Sequence, residues 1–103
     1  MLNTIKKAEK CESLLDIRNG IDHIDQEVIR LLGVRMEYVL NAAKFKPNVE
    51  AIPAPERVLE MLADRRKWSQ EVKLDEEFIV PLYERIIQWF ILQQVDFWKK
   101  NRV

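Results

Sequence analysis

From Ser13 to Phe45 apolar residues recur at helical spacing: Leu14, Ile17, Ile21, Ile24, Val28, Leu31, Leu32, Val39 and Ala42. No proline interrupts them until Lys46-Pro47. This pattern predicts one long helix, from about Ser13 to Phe45. Ser13 is a suitable N-cap, and Asp16 three residues on places negative charge in the first turn. At about 1.5 Å per residue such a helix is roughly 45–50 Å long, longer than a compact domain of this size is wide. The chain has 103 residues, near the lower end of the size that buries an adequate core alone. One domain is therefore expected over 1–103, with an ordered core over about 13–100. Two short helices of the same chain cannot easily cover so long an apolar stripe, whereas a second copy of the chain can.

The rest of the chain reads as two more helices. Lys46 to Pro55 is a loop, because Pro47, Pro53 and Pro55 forbid helix through it. Pro55 suits the first turn of a second helix that carries Val58, Met61, Leu62 and Trp68 and ends near Lys73. Asp75 has the character of an N-cap for a third helix, with Glu76 and Glu77 in its first turn. The apolar positions of this helix are Phe78, Leu82, Ile86, Ile87, Trp89, Phe90, Ile91, Val95, Phe97 and Trp98; Pro81 lies early in it, where few hydrogen bonds are lost. The expected fold is all-α, ordered long helix, short helix, long helix, as an intertwined homodimer.

Composition narrows the function. With 17 basic and 17 acidic side chains the net charge is zero, and the basic excess of a nucleic-acid binder is absent. The single cysteine, Cys11, and the single histidine, His23, make a poor metal site. His23 is expected on the outer face of the first helix as a solvated residue. Two glycines, Gly20 and Gly33, leave no phosphate-cradling loop. No stretch has the length and apolarity of a membrane span or a signal peptide, so the expected location is cytoplasmic. The pairs Asp22/Asp25 and Glu76/Glu77 suit helix charge and solubility better than glycosidase chemistry, and Lys99-Lys100 with Arg102 suits a helix C-terminus.

The informative residues are the polar ones that interrupt apolar stripes. On the first helix one stripe runs Leu14, Arg18, Ile21, Asp25, Val28, Leu32, Arg35, Val39, Ala42, Lys46. A buried cation needs an anionic partner, and for any one of the three cations a carboxylate of the chain such as Asp25 or Glu84 suffices. Three in one stripe favour an external anion. Arg35 and Lys46 are close to three turns apart, about 16 Å along the axis, with the smaller Val39 and Ala42 between them: the shape of a cleft with a cation at each end. Arg18 is about 25 Å from Arg35 and cannot readily serve the same cleft from the same chain. In an antiparallel pair of long helices, Arg18 of one chain could approach Arg35 or Lys46 of the other. On the third helix Gln94 interrupts the stripe Ile87, Ile91, Gln94, Trp98. Its amide can donate and accept hydrogen bonds, either to a ligand or simply between helices.

Read in order, these residues resemble the chorismate mutase type II fold family from about Leu14 to Trp98. Leu15-Asp16-Ile17-Arg18-Asn19-Gly20-Ile21-Asp22-His23-Ile24-Asp25 is similar to the family's opening, and Leu31-Leu32-Gly33-Val34-Arg35 to its second arginine. Lys46 and Gln94 fall where the family keeps its lysine and its glutamine. Phe45-Lys46 followed by Ala51-Ile52-Pro53-Ala54-Pro55-Glu56-Arg57-Val58, and Ile86-Ile87-Gln88-Trp89-Phe90-Ile91, resemble the isochorismate pyruvate lyase branch. Typical mutases have a glutamate where this chain has Val58, and many have a small hydroxyl residue where it has Phe90. Both departures remove polar contacts that a mutase uses.

The resemblance implies conversion of isochorismate to salicylate and pyruvate by a pericyclic elimination that needs no metal or cofactor, with siderophore supply as the usual setting. It also implies roles: Arg35 for the enolpyruvyl carboxylate, Arg18 of the partner chain for the other carboxylate, and Lys46 at the ether oxygen. Gln94 falls to the ether or carboxylate region, Val39, Met61, Ile87 and Ile91 to the apolar walls, and Arg57 to a further contact. The loop after Lys46 is a candidate lid. Two rivals stand beside this reading: a chorismate mutase forming prephenate, and a non-catalytic helical dimerisation or regulatory module. The second does not explain why Arg18, Arg35, Lys46 and Gln94 share inward-looking stripes.

Overall fold

A computed structural model describes residues 6–52 and 54–101; Pro53 and Arg102 lie outside the described residues. Three helices, α1 (Leu14–Ala42), α2 (Pro55–Glu71) and α3 (Glu76–Lys100), follow in the expected long, short, long order. The described residues include no strand. The chain divides into two compact units between Glu37 and Tyr38.

In the first unit, α1 begins as its sequence requires. The Ser13 hydroxyl accepts the Asp16 N–H at 3.1 Å, which satisfies one of the first-turn donors that a helix leaves without a partner. The Asp16 carboxylate in turn accepts the Glu12 N–H and the Lys6 ammonium, each at 3.0 Å. The backbone donor first, and the lysine second, hold its carboxyl below the ordinary aspartate range. His23 is exposed, as expected, with its ring against the Asn19 carbonyl. In the single chain α1 has no buried residue: Ile21 and Val28, on the stripe above, are 52% and 49% exposed. Scattered exposed apolar residues are ordinary, but a continuous apolar stripe along a helix is a surface for a partner.

The expected end of the first helix at Phe45 needs correction. The α winding stops at Ala42, and Ala43–Phe45 forms a 3₁₀ turn. A residue before proline is driven to extended backbone, and Lys46, before Pro47, has φ −95° and ψ 126°. The last turn tightens ahead of it. The segment read as plain loop holds a further 3₁₀ turn, Val49–Ala51, whose N-cap is Asn48: its side-chain oxygen accepts the Ala51 N–H at 3.0 Å.

α2 opens with Pro55 at its first position, where the missing N–H costs nothing. Its end is a Schellman arrangement: the Leu74 N–H donates to the Ser69 carbonyl at 2.9 Å and the Lys73 N–H to the Gln70 carbonyl at 3.1 Å. Lys73 occupies the left-handed position, φ 61°, where glycine is usual. The chain turns here, and the Asp75 carboxylate caps α3 by accepting the Glu77 N–H at 2.9 Å. Glu76 then ties the two helices together, accepting from Arg66 at 2.7 Å and from Gln70. α3 continues through Pro81, which gives up one backbone bond near the start of a long helix.

The core of the second unit is Ala43, Ile52, Val80, Ile87 and Phe90, with Ser69 and Gln94 buried beside them. Val80, Ile87, Phe90 and Gln94 follow steps of seven, three and four residues and so share one face of α3. The sequence-based set for this helix also held Phe78, Leu82, Trp89 and Phe97, but these are exposed in the single chain. Apolar residues surround most of α3, and within one chain only one face has something to pack against.

Candidate functional site

The second unit carries Val39, Lys46, Arg57, Met61, Ile87, Ile91 and Gln94; Arg18 and Arg35 belong to the first. Gln94 is buried, with 9% of its surface exposed. Its Nε2 donates to the Val39 carbonyl at 2.6 Å. Burying an amide is costly unless it is hydrogen-bonded, and this bond meets the cost with one of the two Nε2 hydrogens. The other hydrogen and the Oε1 acceptor are additional capacity. The inter-helix bond considered for Gln94 is thus present, and it does not exhaust the amide.

Lys46 is half-buried and ends the Ala43–Phe45 turn. Its N–H donates to the Ala43 carbonyl at 3.1 Å, and its own carbonyl accepts the Trp98 indole N–H at 3.2 Å. No ion pair among the described residues involves its ammonium or the exposed guanidinium of Arg18. Arg35 is half-buried on α1. Arg57 is exposed at the start of α2, with Glu60 at 3.8 Å, an ion pair of small energetic consequence.

Between α2 and α3 lies an open cleft of about 410 Å³, lined by Pro55, Val58, Leu59, Leu62, Glu84, Ile87, Gln88 and Ile91. Two of the four expected walls, Ile87 and Ile91, are here; Val39 and Met61 are not among its lining residues. The size suits a small organic molecule. The lining is apolar except for Glu84 and Gln88, so a dicarboxylate entering it meets a like charge and no cation. Val58 contributes to this apolar lining, and Phe90 is a core residue.

Sequence reasoning missed the part played by Trp98, which it read only as an apolar stripe residue. Its place one turn after Gln94 was the available signal. It also missed Asn48, whose position at the head of a short turn marks a cap.

Residues 17–95 match the family described as chorismate mutase type II. The chain is 45% identical over 98 residues to the isochorismate pyruvate lyase of Pseudomonas aeruginosa, a match that covers 95% of this chain and 97% of that protein. The chain belongs to the chorismate mutase type II family. It is also 33% identical over 79 residues to the T-protein of Haemophilus influenzae, and 33% identical over 89 residues to the bifunctional chorismate mutase/prephenate dehydratase of Buchnera aphidicola. Those two matches cover 75% and 85% of this chain but only 21% and 23% of the longer proteins. Helix order and the absence of strands among the described residues agree with membership. Among the described residues no helix is long and apolar enough to cross a membrane.

Proposed function

We propose that this chain is an isochorismate pyruvate lyase, releasing salicylate and pyruvate. The observation that carries the reading is the 45% identity to a protein of that name across nearly the full length of both chains. In the reaction a hydrogen leaves the ring carbon next to the ether-bearing carbon and joins the enolpyruvyl methylene, which becomes the methyl group of pyruvate. The ether bond between ring and side chain breaks, its oxygen becomes the keto oxygen of pyruvate, and the ring becomes aromatic. Atoms and electrons balance without a nucleophile or redox partner. Catalysis then consists of holding a reactive conformation and favouring the charge that develops on the ether oxygen.

The working form in this proposal is a cytoplasmic homodimer in which the single family-type domain of each chain supplies its neighbour with Arg18. The exposed apolar stripe of α1 supports the dimer. Arg35 takes the enolpyruvyl carboxylate through its planar fork, which matches a carboxylate with two parallel hydrogen bonds. Arg18 takes the other carboxylate, Lys46 faces the ether oxygen, and Gln94 uses the amide capacity left over from its bond to Val39. Val39, Met61, Ile87 and Ile91 wall the ring, and Arg57 adds a contact from α2. A mutase reading, with chorismate as substrate and prephenate as product, is supported by the Buchnera relative but disfavoured by Val58 and Phe90. A purely structural dimer leaves the ammonium of Lys46 and the guanidinium of Arg18 without a use.

The test is incubation of the purified chain with isochorismate, followed by salicylate fluorescence. Release is expected, with the turnover number of Lys46→Ala lower by about a hundredfold or more, in line with the loss of a preorganised charge, and little change in melting temperature. A folded chain that releases no salicylate would sink the lyase reading and turn attention to prephenate formation from chorismate.

A further inference from the structure

Four backbone carbonyls at the end of an α-helix lack the N–H partners that the next turn would supply. α1 has no basic residue in its last turn, and the cap position ahead of the 3₁₀ turn, Ala42, has no side-chain hydrogen bond. Help comes from far along the chain. Gln94 and Trp98, one turn apart on α3, send their side-chain N–H groups to the carbonyls of Val39 and Lys46. Ala43, between those two carbonyls, is only 2% exposed. The end of α1 is thus clamped to α3 at both sides of the 3₁₀ turn.

The second clamp falls on the residue for which placement matters most. Lys46 ends in a strongly hydrated point charge on four rotatable carbons, so its reach is set by where its backbone is held. Three constraints meet there: its N–H is tied to Ala43, the following Pro47 restricts its backbone to extended conformations, and its carbonyl is tied to the Trp98 indole. Removing the third leaves the peptide between Lys46 and Pro47 able to rotate with the loop that follows. Misplacement of a reacting group by about 1 Å can cost on the order of a hundredfold in rate.

We propose that Trp98 is a positioning residue for the lyase reaction, acting through the Lys46 carbonyl by its indole N–H rather than by its bulk. This rests on the lyase reading above. It also gives the last turn of α3, otherwise expected to fray, a part in the chemistry at a residue 52 positions away.

The decisive variant replaces Trp98 with 3-benzothienylalanine, which keeps the bicyclic shape and puts sulfur where the N–H stood; Trp98→Phe is its genetically encoded companion. The benzothienyl chain is expected to melt within a few degrees of the wild type and to keep its KM within about twofold, while kcat on isochorismate falls about tenfold. In a Lys46→Ala background the same replacement should bring no further loss, because the group it positions has gone. An unchanged kcat, or an equal loss in both backgrounds, overturns the role of Trp98. A wild-type chain that releases no salicylate sinks the lyase reading itself; release by the wild type with an unaffected benzothienyl variant sinks only this proposal.

Discussion

At Glu76 one carboxylate receives the Gln70 amide and the Arg66 guanidinium from α2 while standing in the first turn of α3. The Gln70 bond first, then the arginine, hold its carboxyl below the ordinary glutamate range. A carboxyl depressed in the folded state adds stability above its unfolded pKa and loses it as pH falls through the folded one. Glu76→Gln should therefore lower the melting temperature at neutral pH, with the difference from wild type shrinking as the solution is acidified below the ordinary glutamate range. A difference that stays constant on acidification would assign the effect to packing rather than to charge. Gln94 shows the same double use of one side chain in a buried setting: one N–H holds Val39, and the remaining capacity is what the proposed chemistry employs. The glutamine was conspicuous in the sequence because it broke an apolar stripe. The carbonyl that it holds, 55 residues away, left no mark in the sequence.

The starts of the helices were the most legible elements, because capping is decided by a few adjacent residues. Ser13, Pro55 and Asp75 each open a helix as their chemistry requires. The α2–α3 turn was less legible. Its left-handed residue is Lys73, and a lysine gives no local sign of that conformation. A residue with a Cβ pays roughly 1–2 kcal/mol in the left-handed region, partly offset because glycine loses more entropy on folding. Lys73→Gly should therefore raise stability by about 0.5–1 kcal/mol without affecting turnover, measured by urea unfolding beside the salicylate assay. A destabilised Lys73→Gly chain would show that the lysine side chain has a compensating contact. The 3₁₀ ending of α1 belongs to the same class of detail: Pro47 announced a stop, but not that the turn before it would tighten and bury Ala43.

At the scale of the whole molecule, α1 buries nothing within its own chain, and the proposed dimer is what makes sense of its stripe. The cross-chain role of Arg18 gives a direct test. Arg18→Ala and Arg35→Ala chains, each inactive alone, should recover activity on mixing, because a mixed dimer can hold one site with both arginines. At random exchange about half of the dimers are mixed, so recovery of roughly a quarter of wild-type activity is expected, given one restored site in each mixed dimer. No recovery after exchange has been verified would contradict donation of Arg18 across the interface.

What the sequence determined by itself was the part carried by period and local chemistry: three helices in order, their caps, the proline-bearing connection, and the cations and glutamine set into apolar stripes. Those features depend on residues within a turn or two of each other. What only the tertiary structure decided was which face of the apolar-rich α3 packs within the chain, that Val80 and not Phe78 is buried there, and that Trp98 reaches the Lys46 carbonyl. The first two choices are made by the packing of α3 against α2 and the turns that follow α1, and the last by a contact between segments some fifty residues apart, where the partner is a backbone group that every sequence possesses and none advertises.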